Sequence, residues 1–155
     1  MADELYRLFF HATQDVFSLM LDLNHISEVL DGKKEDTGSS GKINISIGVV
    51  GDLQGEIIYH FPKETSLEMV KIMSGMDFPE VDDFVTSAIG EITNIISGKA
   101  LMALSEKKVS CDILPPKIVI DGQVSEDSAP SSSSARICTD IGEIDLDVRL
   151  NRKQA

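Results

Sequence analysis

Within the stretch VDDFVTSAIGEITNIISGKALMALSE, residues 81–106, Ser87, Glu91, Asn94 and Gly98 recur at helical spacing and share one ridge. A carboxylate and a side-chain amide one turn apart, roughly 5 Å between their Cβ atoms, can act on the same small target. Ser, Asn and Gly are weak helix formers, Gly by roughly 1 kcal/mol relative to Ala. Helix stability is therefore given up along a single line, which marks the ridge as a surface that something reads.

An exposed polar pair of no special purpose is the plainer account of an Asn near a Glu, and small residues also mark close helix packing. Gly90 and Gly98 favour a functional reading, because they flank the pair and lower the surface so that a partner's loop or backbone can approach. Glu91 and Asn94 are thus the candidate reactive pair, with Ser87, Gly90 and Gly98 as candidate partner-binding positions. No phosphate-cradling loop, nucleophile elbow, metal-ligand cluster or Ser/His/Asp constellation accompanies them. The chain does not carry a complete active site of its own.

The spacing Ser87-x3-Glu91-x2-Asn94 resembles the Asp/Ser-x3-Glu-x2-Asn signature of the CheC, CheX and FliY phosphatases of bacterial chemotaxis, and GEITNIISGKA is similar to their motif helix. The family also tends to carry a proline downstream of the Asn, here Pro115 and Pro116, and GDLQG at Gly51 to Gly55 resembles one of its hairpin loops. A single copy of the motif, with an N-terminal FFHATQDVFSLML similar to the first CheX helix, makes the single-site CheX-like branch the closer match.

The resemblance implies a protein phosphatase acting on the phosphoaspartate of a CheY-like response regulator. Asn94 would hold a water in line with the phosphoryl group, Glu91 would pair with the receiver's lysine, and Ser87 would touch the partner at the ridge's edge. The phosphorylated receiver would bring its own Mg2+, so the chain itself would bind no cofactor and no metal. It further implies a homodimer formed through the sheet. A non-catalytic interaction module related to the flagellar switch proteins is the alternative, binding a receiver or switch partner without turnover. A small-molecule enzyme is disfavoured by the lack of a second paired titratable group.

The elements that must position the pair are legible from periodicity. In the motif helix, Val85, Ile89, Ile92, Ile96, Ala100 and Ala103 fall on the side opposite the ridge and are expected in the core. Pro79, Glu80, Asp82 and Asp83 suit its positive N-terminal end. A first helix is predicted over Asp3 to Leu23, with Leu5, Leu8, Phe9, Ala12, Val16, Leu19, Met20 and Leu23 as an apolar face that packs on a sheet. Leu23 to Leu30 is read as a short strand, and Asp31 to Gly41 as a solvated loop.

Ile43, Ile45, Ile47 and Val49 alternate as a strand does, and the Gly51 to Gly55 turn leads into a second strand, Glu56 to Phe61. Thr65 to Glu68 reads as a capping box opening a helix that runs through Met73 and closes at Gly75. Its expected core residues are Leu67, Met69, Val70, Ile72 and Met73. Further strands are expected at Val109 to Leu114, Lys117 to Asp121, Ala135 to Thr139 and Glu143 to Leu150, with a mobile Ser-rich loop at about 125–134 and a frayed NRKQA tail. His11, His25 and His60 lack partners at ligand spacing and are assigned surface, capping or structural roles.

This order suits a single α+β domain over residues 1–155: an antiparallel sheet with helices packed on one face, CheC/CheX-like. A hydrophobic content of 42% and charged content of 26% are ordinary for a globular domain. The formal charge of −12 repels phosphate backbones and anionic membranes, so neither nucleic acid nor a membrane is an expected partner. No signal-type segment is read at the start, and the expected location is cytoplasmic. Cys111 and Cys138 fall in predicted strands and are expected as free thiols.

Overall fold

A computed structural model describes residues 2–23, 25–30, 42–120 and 133–152. In chain order the elements are α1 (Ala2–Leu21), β1 (Ser27–Leu30), β2 (Ile43–Gly51), β3 (Leu53–Phe61), α2 (Lys63–Ser74), α3 (Asp83–Glu106), β4 (Cys111–Ile113), β5 (Lys117–Ile120), β6 (Ser133–Thr139) and β7 (Gly142–Arg152). The strands form one antiparallel sheet in the order β1-β6-β7-β3-β2, and β4 and β5 both pair with β2 along its remaining edge. No helix among the described residues is long and apolar enough to cross a membrane.

Alternation explains how the sheet acquires two faces. Ile43, Ile45 and Ile47 of β2, Ile57, Tyr59 and Phe61 of β3, and Leu146 and Val148 of β7 join the helices in one hydrophobic core. The opposite face carries the intervening residues, among them Asn44, Ser46, Ile58, His60 and Asp147. Gly55 has φ +146, and a Cβ there would run into the Arg149 carbonyl of β7. Only glycine lets β3 approach β7 this closely at that point.

The helices lie over the core face, as predicted, with local differences. α1 packs chiefly on α3 and only secondarily on the sheet. Its buried side is Tyr6, Phe9, Phe10, Ala12, Val16, Phe17 and Leu21, whereas Leu19 is 78% exposed and Met20 is also exposed. The predicted face therefore drifts out of phase at its C-terminal end. Asp22, at φ 55, ends the helix, and the Leu23 N–H turns back to the Phe17 carbonyl, so Leu23 reaches the core from the turn instead of the helix.

In α2 the predicted capping box does not form. The helix starts at Lys63 behind Pro62, which makes no side-chain cap, and Thr65 is buried with its hydroxyl donating to the Glu143 carbonyl at 3.4 Å. Met69 and Val70 are buried, Leu67 and Met73 partly so, and Ile72 is exposed. Gly75 closes the helix in the left-handed region as expected.

β6 begins at Ser133 and so includes the last two residues of the segment expected as a loop, and residues 125–132 of that segment lie outside the described residues. β7 runs on to Arg152, so Asn151 and Arg152 of the tail pair with β3. The loop predicted at 31–41 also lies outside the described residues. Both cysteines are free. His60 is held within the sheet, Nδ1 against Asn44 Oδ1 at 2.7 Å and Nε2 against Asp147 Oδ2 at 3.2 Å.

Candidate functional site

The site is built on α3, the longest helix. Asp82 caps its start, Oδ1 accepting from the Val85 N–H at 2.9 Å, and Asp83 adds negative charge to the first turn. Its far end closes on Lys107 and Lys108, the latter at φ 65, with the Lys107 and Val109 N–H groups donating to the Leu104 carbonyl. Val85, Ile89, Ile92, Ile96 and Ala100 are buried as predicted; Ala103 is half-buried, and Leu104 completes the stripe.

On the other side Ser87 and Glu91 are exposed, and Asn94 and Gly98 are half-buried. Neither Glu91 nor Asn94 has a hydrogen-bond or ion-pair partner among the described residues. The head groups are left to water while the helix beneath them is fixed. A side chain at Gly98 would meet nothing within 4 Å, so the ridge is low there and open.

Gly90 behaves differently. It is buried, and a Cβ at this position would lie 2.9 Å from Ile118 Cδ1 of β5. Its missing side chain is taken up within the fold, by Ile118, and does not open the surface to a visitor. Ile118 thus sits against α3 one turn before Asn94.

Three buried polar residues beneath the ridge were not singled out from the sequence. Thr93 and Ser97 lie on the hidden side of α3; the Thr93 hydroxyl donates to the Gly90 carbonyl at 2.8 Å, and Ser97 Oγ meets the Tyr59 hydroxyl of β3 at 3.2 Å. Burial pushes the Tyr59 hydroxyl above the usual tyrosine range, only partly offset by the Ser97 hydrogen bond. This contact ties the turn after Asn94 to the centre of the sheet. Spacing places Thr93 beside the buried stripe and leaves Ser97 midway between stripe and ridge; that Ser97 is buried against Tyr59 is decided by the fold.

Among the described residues no three His, Cys, Asp or Glu side chains gather as a metal site. What remains is an unpartnered carboxylate and amide on the outward side of a helix whose other side is buried in the core. Such a pair can position a water or grip a cation, but has no nucleophile or phosphate cradle beside it.

The family model described as chemotaxis phosphatase CheX matches residues 43–141, a segment that includes the whole ridge. This chain belongs to the CheX family. A relative from Thermotoga maritima named CheY-P phosphatase CheX is 40% identical over 74 residues, 47% of this chain and 48% of that protein. The match thus spans about half the length of the curated relative.

Solved CheX structures superpose over nearly the full chain. Chemotaxis protein CheX from Vibrio vulnificus aligns with a TM-score of 0.78 at 23% identity, covering 96% of this chain and 99% of that one. The CheX of a CheX–CheY–BeF3–Mg2+ complex from Borrelia burgdorferi aligns with a TM-score of 0.78 at 22% identity, covering 95% and 97%. At these identities the structures establish the shared CheX fold, the α+β arrangement expected from the sequence.

Proposed function

We propose that this chain is a phosphatase for the phosphoaspartate of a CheY-like receiver, with Asn94 and Glu91 as its catalytic residues. The observation that carries the reading is the unpartnered Glu91–Asn94 pair on the outward side of α3 in a CheX-family chain, Glu91 exposed and Asn94 half-buried. The names of the Thermotoga and Borrelia relatives support it, one a CheY-P phosphatase and the other complexed with CheY.

In the proposed reaction the receiver contributes the acyl phosphate and the metal; the Mg2+ named in the Borrelia complex is consistent with that division. Asn94 holds a water in line with phosphorus, and attack breaks the P–O bond to the aspartyl carboxylate, releasing inorganic phosphate. Glu91 pairs with a receiver lysine, which orients the ridge more than it adds affinity. Ser87 contacts the partner at the edge, and Gly98 leaves room for it. Gly90 acts from beneath, by seating Ile118.

The reading extends to a cytoplasmic location, where receivers are phosphorylated, and to a homodimer through the sheet, whose β1 and β5 edges are unpaired among the described residues. Sedimentation of the purified chain tests the dimer, and a monomer at all concentrations excludes it.

Timing the decay of phosphorylated CheY with and without the chain tests the catalytic reading. Asn94→Ala is expected to keep receiver binding and lose the acceleration, each tenfold of rate corresponding to about 1.4 kcal/mol. Glu91→Ala weakens binding and rate together. Wild-type phosphate release by both variants overturns these roles, and binding without acceleration by the unaltered chain makes it an interaction module instead.

A further inference from the structure

The exposed face of α3 carries more than the Glu91–Asn94 pair. Phe84, Ile95 and Met102 are 54%, 37% and 71% exposed. At 3.6 residues per turn these three, with Glu91 and Gly98, fall within about 40° of one line along the helix. Helical rise puts Phe84 about 10 Å before Glu91 and Met102 about 16 Å after it. Scattered exposed apolar residues need no explanation, but an aligned strip marks an interaction surface.

Phe84 is also held in place. Its ring stacks on Phe78 of the α2–α3 connection, centroids 5.1 Å apart and planes 12° from parallel. A ring fixed before docking loses little entropy when covered. Glu91 is the one ionisable residue along the middle of this strip; Lys99 lies at its margin, its Nζ 3.6 Å from Asp15 of α1. The strip is therefore an apolar band with a single carboxylate near its centre. On the other flank Ile118 covers Gly90, one turn before Asn94, and the band lies on the opposite side of Asn94.

We propose that Phe84, Ile95 and Met102 form the docking strip for the receiver, anchoring it on both sides of Glu91 so that Asn94 meets the phosphoryl group. The inference rests on the function proposed above. A folded partner spanning several turns of helix and offering one cation matches the band in shape and charge. A second copy of this chain does not, because two-fold packing about the strip would bring two Glu91 carboxylates together in a chain already at −12.

The test uses Thermotoga maritima CheY as the probe, charged with acetyl phosphate and Mg2+ for turnover and activated with BeF3− for equilibrium titration. Phe84→Ser and Met102→Ser are expected to raise KM, and Kd for the activated receiver, about tenfold each, with kcat within about twofold of wild type. Asn94→Ala should do the reverse, lowering kcat with little change in Kd. Val50→Ser, at an exposed position on the sheet face turned from the helices, is the control and should change neither. Met102 makes no ring stack, so its variant separates docking from any loosening of the Phe78–Phe84 contact.

Unchanged KM and Kd in both strip variants, with the unaltered chain active, overturn the docking strip and leave the phosphatase reading intact. Equal weakening by Val50→Ser overturns it as well, as does a change of oligomeric state in the strip variants with receiver affinity unaltered. If the unaltered chain binds without accelerating decay, the phosphatase reading falls and Kd alone decides the strip. If it neither binds nor accelerates, both fall.

Discussion

Tyr59 and Ser97 share one buried hydrogen bond, but their substitutions should not cost the same. In Tyr59→Phe the Ser97 hydroxyl can turn to the carbonyl one helical turn back, so the loss should stay near 1 kcal/mol or below. In Ser97→Ala the Tyr59 hydroxyl is left in the core without its partner, costing about 1–3 kcal/mol. Urea unfolding of the two variants measures the order, and a larger loss in Tyr59→Phe contradicts it. The same residue sets a pH dependence. Its folded pKa lies above the ordinary tyrosine value of 10.0, so the unfolded chain gives up this proton first and stability falls as pH rises past 10.0. Tyr59→Phe should flatten the alkaline fall in unfolding free energy above that pH; an unchanged slope would show that Tyr59 does not cause it.

For α3 as an element, the two glycines separate packing from access. Ile118 occupies the space over Gly90, whereas nothing stands over Gly98. Gly98→Ala should therefore raise helix stability by about 1 kcal/mol while slowing dephosphorylation of the receiver, because the new methyl group sits on the ridge a partner must approach. Thermal unfolding and the decay assay read the two effects on one protein. Stabilisation with unchanged activity would place the partner elsewhere on the helix. The periodicity of α3 made its buried stripe and its ridge legible in advance, since both follow from one 3.6-residue repeat. The role of Gly90 was not legible, because it depends on Ile118, a residue of a strand much later in the chain.

Across the whole molecule the sheet sets where α3 sits. β3 is clasped between β2 and β7, and the Gly55 approach to Arg149 helps fix its register against β7. Gly55→Ala combines a forbidden φ with a backbone collision and should cost about 2 kcal/mol or more in urea unfolding. A loss within about 0.5 kcal/mol would mean that β7 moves freely there. The alternating strands and the helices between them were legible because each is a local pattern; the turn expected over Gly51 to Gly55 is tighter, since β2 runs through Gly51 and β3 begins at Leu53. The phase of α1 was misread at its end: its main neighbour is α3 and not the sheet, so Phe17 and Leu21 are buried where Leu19 and Met20 were expected.

By itself the sequence determined the helix that bears Glu91 and Asn94, the side of it that faces outward and the antiparallel strands beneath, since dihedral preference and hydrophobic period act over a few residues. Only tertiary structure decided that Ile118 closes over Gly90, that Tyr59 meets Ser97 under the ridge and that Phe78 braces Phe84. Those contacts join residues on different elements, and no local period encodes which surface a side chain will meet once the chain has folded back on itself.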